Sequence, residues 1–343
     1  QVDHNDPSII FANNYGGGNF LSTNSGKSWV DASSGYTGSG ILQLAVDSNK
    51  NGRVVAGVHS GIYLSSDYGD NWTSLYPKGG WQTVAIDPAD GDIIIAAAAD
   101  GILMRTTDGG TSWDEVMQRI GDEATWRGTT FVPNDPSTIF TGSSSLNLPD
   151  LGTVDPGAEG VFRSEDSGAT WAEVNDGTSE GANIRNMACS PDGNILFAAT
   201  SNKGVLKTTN GAQSWSDASN GLPDAQFISI AMDPNDGNVV LAGTFMSGLY
   251  RTGDGGQSWS AVATGVPAEA TVRAIVFHPT ESNVYAGDSR SGVYESTDSG
   301  QSWELINDGF LNRSNNALAI AADGRWLYSG SDGSGAYRMR LAD

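Results

Sequence analysis

The chain has 343 residues, 45 of them glycine, with 18 Lys and Arg against 40 Asp and Glu and a formal net charge of −22 at pH 7. That balance leaves no basic stripe to displace the counterions of a nucleic acid or to hold an anionic membrane, and no run approaches the roughly 20 apolar residues that span a bilayer. The single cysteine, Cys189, excludes an internal disulfide, and its setting in Asn186-Met187-Ala188-Cys189 reads as a buried, inert thiol rather than a nucleophile.

From the N-terminus, a hairpin is expected over 9–20, followed by Ser22, Asn24, Gly26 and Trp29. Their spacing is hydroxyl, x, Asp or Asn, x, Gly, x, x, Trp. The same pattern returns down the chain, ending at Trp72, Trp113, Trp171, Trp215, Trp259 and Trp303, and Ala212 is its only break. Asp or Asn accepts hydrogen bonds from the next backbone N–H groups and Gly supplies a positive φ, so each copy predicts a tight hairpin turn. The indole then opens a strand and buries a large ring.

Each repeat carries four strand signals. An apolar inner strand ends at an Asp-Pro-like turn, as in 84–88 and 230–234; a second strand follows, as in 238–243, then a third, as in 248–251, then the turn motif and an outer strand from the Trp. The middle hairpins fall at 9–20, 54–63, 93–103, 138–162, 195–206, 239–250, 284–294 and 326–337, which makes eight repeats. Four antiparallel strands per repeat, stacked around an axis, predict an all-β propeller in one domain over 1–343. Eight hairpins predict eight blades. The alternative, seven blades with one split between the termini, needs one hairpin fewer. Repeat four carries an insertion at 143–159, which sets Trp113 and Trp171 58 residues apart. Its Leu and Pro content suggests a lid or binding wall, with a neutral mobile insertion as the alternative.

The repeated turn resembles the Asp-box (BNR) repeat β-propellers, a group that includes sialidases, xyloglucan-hydrolysing endoglucanases, sortilin-type receptors and a photosystem II assembly factor. The resemblance implies architecture more than activity, because the box recurs in enzymes and non-enzymes. It also implies that ligands bind on the face opposite the box turns, where loops between second and third strands surround a channel mouth.

On that face several residues stand out. Trp81 and Trp126 open two inner strands, aligned with Ile184, Phe227 and Val272; they read either as seals between blades or as stacking platforms for sugar rings, with Tyr15, Tyr36 and Tyr76 nearby. Arg127, Arg185 and Arg273 follow that position and converge on the mouth, where an anionic sugar or neighbouring acids would neutralise them. The arginine trio of sialidases is not implied, because their Arg-Ile-Pro motif is absent. The segment Ser331-Asp332-Gly333-Ser334-Gly335-Ala336-Tyr337-Arg338 resembles a xyloglucan-endoglucanase loop, which implies a catalytic role for Asp332; capping its own turn is the other reading. Asp100 and Asp288, in equivalent loops, are candidate second carboxylates. His59 joins the ligand-binding candidates. His4, His59 and His278 lie in different repeats, so no metal site or cofactor is expected.

These observations predict a secreted or extracellular propeller, with a periplasmic one as the alternative, that binds a polysaccharide or oligosaccharide, anionic on the arginine reading, with glycoside hydrolysis as an added capacity. The alternative is a non-catalytic scaffold that docks a protein. Nucleic acid and membrane insertion are not expected.

Overall fold

In the computed structural model the described residues are 10–14, 18–22, 25, 27–28, 30–31, 40–118, 124–145, 159–307, 313–333 and 335–341. They form eight antiparallel sheets, one per repeat, with four strands each in repeats two to seven and three each in repeats one and eight. Repeat two shows the plan: inner strand Ile41–Val46, hairpin Val54–Val58 and Gly61–Ser65, outer strand Thr73–Tyr76. The second strands are buried along their whole length in repeats two, three, five, six and seven, as expected for strands covered on both faces by neighbouring sheets.

The ring has seven blades, which corrects the eight expected from hairpin counting. The inner strands Ile41–Val46, Trp81–Ile86, Ala124–Val132, Ile184–Cys189, Phe227–Met232, Val272–Phe277 and Asn315–Ile320 pack in succession, and the last lies against the first. One core cluster joins Ile41, Leu44 and Val54 of repeat two to Ala317, Ala319 and Tyr328 of repeat eight. Hairpin counting failed because an inner strand, not a hairpin, holds a blade's place at the axis. The sheet of repeat one, Ile10–Asn14, Gly18–Ser22 and Val30–Asp31, has no inner strand among the described residues and its strands pair only with one another.

Two devices recur at the junctions between blades, and both are present where repeat eight meets repeat two. The first is a glycine on the second strand, over which the next repeat inserts the residue that opens its inner strand. A Cβ would lie 2.9 Å from the Trp81 carbonyl oxygen at Gly57, 2.6 Å from that of Val272 at Gly243, and 2.5 Å from Ile41 Cγ2 at Gly330. Any larger residue would push the blades apart.

The second is a cation on the third strand that donates to the carbonyl of the fourth residue of the next turn motif. Arg105 Nε reaches Ser167 O at 2.7 Å, Lys207 Nζ reaches Gly255 O at 2.6 Å, and Arg251 Nε reaches Ser299 O at 2.8 Å. Arg338 closes the ring in the same way, with Nη1 2.8 Å from Tyr68 O and Nη2 2.6 Å from Asp70 Oδ1.

The turn motif itself is a small hydrogen-bonded cage. In repeat seven the Ser296 hydroxyl donates to Asp298 Oδ1 at 2.7 Å and accepts the Gly300 N–H at 2.9 Å, while Asp298 Oδ1 also accepts the Ser302 N–H at 2.9 Å. The fourth and fifth residues have positive φ, 56° at Ser299 and 85° at Gly300, within the loop that joins Gly292–Ser296 to Glu304–Leu305. Ala212 keeps this conformation at φ 69° without glycine, and its N–H still reaches Thr208 Oγ1 at 3.2 Å. Hydrogen bonds from the Asn71 side chain and backbone and the Ser65 hydroxyl hold Asp67 at about 2; those from Ser112 and Thr106 do the same for Asp108. These carboxylates therefore stay ionised well below neutral pH.

The cage ranks its members. Ser296→Ala leaves the buried Gly300 N–H without an acceptor and should cost about 1–3 kcal/mol. Asp298→Asn should cost less, because Asn210 holds the equivalent place in repeat five and accepts the Ser214 N–H at 3.0 Å. Denaturant unfolding of the two variants checks the order; a larger loss for Asp298→Asn would contradict it.

Candidate functional site

The residues that reach the channel are selected by a backbone irregularity. Six inner strands slip register near their start: between Ile41 and Gln43, Trp81 and Thr83, Ile184 and Asn186, Phe227 and Ser229, Val272 and Ala274, and Asn315 and Ala317. The residues passed over are Leu42, Gln82, Arg185, Ile228, Arg273 and Asn316, and every one lines the central cavity. In repeat four the slip falls between Arg127 and Thr130, and Arg127 lines the same cavity. A β-bulge bends the strand and re-aims a side chain. Here the first residue stays between blades and the second turns to the axis.

The cavity has a volume of about 630 Å³ and takes lining residues from all seven ring repeats. Arg127, Arg185 and Arg273 project into it together, as their alignment predicts. Arg127 Nη2 donates to Gln82 Oε1 at 2.6 Å, and Arg185 Nη1 lies 3.3 Å from Ser144 Oγ. The Nε of Arg127 is buried without an acceptor. Burial, then the charges of Arg185 and Arg273, push Arg127 well below the usual arginine range; burial and then Arg273 bring Arg185 down to about 10. Arg127 and Arg185, each depressed by burial and by its arginine neighbours, mark a region of positive potential that an anion would relieve.

Asp332 is the only carboxylate among the described lining residues. It shares the wall with His59, and the two come from equivalent loops of repeats eight and two. Both lean over Gly40, where a Cβ would lie 2.8 Å from Asp332 Oδ1 and 3.1 Å from His59 Cδ2. The expected grouping of Asp332 with Asp100 and Asp288 is not found at the cavity. Asp288 is 1% exposed and caps its own loop, accepting the Thr271 N–H at 2.8 Å and the Ser291 N–H at 2.9 Å. Asp100 is exposed, accepts the Ile102 N–H at 3.4 Å and does not line the cavity.

The two tryptophans are seals, and the reading of them as sugar platforms is corrected. Trp81 and Trp126 are 2% and 1% exposed. The Trp81 indole donates to Lys78 O at 2.8 Å and that of Trp126 to Gly101 O at 2.8 Å, while Phe162 packs edge-on against Trp126. Neither ring has a face free. Tyr76 is packed against Trp81 and Trp113. Tyr15, Tyr36, and 146–158 of the repeat-four insertion lie outside the described residues.

Gln82 and Asn316 are site residues that sequence reasoning passed over. They occupy the same alignment column as the three arginines, and that column was the available signal. Cys189 lines the cavity, but burial pushes its thiol up to about 11. Among the described residues no group of three or more His, Cys, Asp or Glu is placed to hold a metal ion.

Because Asp288 satisfies two backbone N–H groups at a buried loop, Asp288→Ala should lower stability by about 1.5–3 kcal/mol. Thermal or denaturant unfolding checks this, and an unchanged midpoint would contradict the capping role.

No family model matches the sequence. The chain is 27% identical over 197 residues to a xyloglucanase of Hypocrea jecorina (strain QM6a), a stretch covering 46% of this chain and 23% of that protein. Among solved structures, YCF48 bound to a D1 peptide matches with TM-score 0.64 and 14% identity, covering 89% of this chain and 94% of that one. A chain of the mitotic checkpoint complex matches with TM-score 0.64 and 12% identity, over 88% and 87% of the two chains. An ancestral GH74 enzyme matches with TM-score 0.54 and 18% identity, over 99% of this chain and 60% of that one. At these identities the structures share the propeller fold with this chain.

Proposed function

We propose that this chain is an Asp-box propeller that binds an anionic glycan at its channel, outside the cell, and does not hydrolyse it with a carboxylate pair of its own. The observation that carries the reading is the convergence of Arg127, Arg185 and Arg273 on one cavity whose described lining holds a single carboxylate, Asp332. Guanidinium groups match carboxylate and sulfate oxygens with paired hydrogen bonds, and the stored repulsion adds to the gain on binding. Glycoside hydrolysis needs two carboxyl groups about 5–10 Å apart across the bond, and neither Asp100 nor Asp288 lines the cavity. The partial similarity to a xyloglucanase supports a saccharide as ligand. The repeated turn cage supports Asp-box membership.

A second reading, a scaffold that docks a protein, is favoured by the likeness in fold to a propeller with a bound peptide over 94% of that chain.

Calorimetric titration with carboxylated and sulfated oligosaccharides, alongside neutral xyloglucan fragments and an assay for released reducing ends, tests the proposal. Binding of the anionic sugars should weaken roughly tenfold or more in Arg185→Gln, the loss of one charge-assisted contact, and weaken with added salt, with no reducing ends released. Equal binding of neutral fragments, or silence across all sugars with capture of a peptide, would overturn it. Hydrolysis abolished by Asp332→Asn would establish the enzyme instead.

A further inference from the structure

With Trp81 and Trp126 buried, the apolar surface that a sugar ring would rest on must come from elsewhere. Among the described residues only Met246 and Leu305 are large hydrophobic side chains left exposed, at 46% and 50%. Leu305 belongs to the outer strand Glu304–Leu305, away from the axis. Met246 lies between the second and third strands of repeat six, Val240–Thr244 and Leu249–Thr252, in a loop equivalent to those that bring His59 and Asp332 to the cavity.

Its backbone is fixed and strained. Met246 has φ 61°, a left-handed conformation that costs any residue with a Cβ. The loop holds it there: the Met246 N–H donates to Thr271 Oγ1 at 3.1 Å, the Ser247 N–H to Thr244 Oγ1 at 3.0 Å, the Phe245 N–H to Gln226 O at 3.0 Å and the Gly248 N–H to Ala270 O at 3.0 Å. The loop thus rests on 270–271, just before Arg273. In the channel ring, Ile228 of repeat six stands between Arg185 of repeat five and Arg273 of repeat seven. Half-buried Phe245 and exposed Met246 are tied through their backbone N–H groups to Gln226 and Thr271, each two residues before a cavity-lining residue, Ile228 and Arg273.

We propose that Met246 and Phe245 form the platform of a saccharide subsite, on which the C–H face of a pyranose ring lies while its anionic substituents reach Arg185 and Arg273. The ligand class this defines is a glycan with charged groups at the ring edge and an uninterrupted apolar face. A polarizable thioether beside an aromatic ring suits such a face. The inference rests on the function proposed above and adds to it the residues that tell a sugar from a bare anion.

The test uses Met246→Gly and Met246→Asn, both suited to positive φ, with a sulfated tetrasaccharide and inorganic sulfate as separate probes. The tetrasaccharide should bind roughly tenfold more weakly to both variants, inorganic sulfate should bind as to the parent, and Met246→Leu should restore tetrasaccharide affinity. Relief of strain should also raise the unfolding temperature of Met246→Gly. Unchanged tetrasaccharide affinity in either variant, or a parallel loss of sulfate binding, would overturn the subsite. Loss of binding in Arg185→Gln with none in Met246→Gly would sink the subsite and leave the anion site standing; no effect of Arg185→Gln on any sugar would sink the reading beneath it.

Discussion

The contact that recurs at four of the seven junctions, the closing one included, is the one between a third-strand cation and the carbonyl at the tip of the next turn cage. The cage fixes that carbonyl by satisfying its own donors: Ser296 Oγ accepts the buried Gly300 N–H, and Asp298 Oδ1 takes the Ser302 N–H. The carbonyl is then available to the preceding blade, as Ser299 O is to Arg251. Local turn chemistry thereby becomes an angle between blades. Arg338 and Tyr68 repeat the arrangement across 270 residues of chain, at the junction that closes the ring. Few cations are available in so acidic a chain, and several of them are used in this way.

Rigid closure gives the channel its chemistry. A bulge at one place in the inner strand turns one side chain per repeat to the axis, so the channel is lined by a ring of residues set by one alignment column. The first position of each inner strand is committed to sealing, over glycines such as Gly57 and Gly330 that leave no room for a Cβ. The second position is then free to vary. Three arginines, Gln82, Asn316, Leu42 and Ile228 occupy it, and the arginines gather in repeats four, five and seven with Ile228 between the last two.

Much of the fold was legible in the sequence because its signals are local. The spacing from Ser65 to Trp72 dictates a turn whatever surrounds it, and the run Gly292–Ser296 reads as a strand, although its alternation suggests half burial and four of its five residues are buried. Blade number was not legible, because it depends on whether Asn315–Ile320 packs on Ile41–Val46, a contact between distant segments that no local pattern records. The convergence of the arginines followed from alignment. The burial of Trp81 and Trp126 did not, since an indole opening a strand looks the same whether it faces a neighbouring blade or solvent. Asp288 looked like Asp332 in its loop; only the hydrogen bonds to Thr271 and Ser291 separate a cap from a wall residue. Met246 carried no sequence signal at all, because a left-handed methionine is a property of the loop's hydrogen bonds.

The central claim, that repeats two to eight close on themselves, is open to one direct measurement. Asp70→Cys and Arg338→Cys replace two side chains that meet at 2.6 Å across the junction of repeats eight and two. A short bifunctional thiol reagent should link them within a single chain in high yield, read by peptide mapping under non-reducing conditions. Absence of that link in the folded protein, or a link found only between separate copies, would contradict the seven-membered ring.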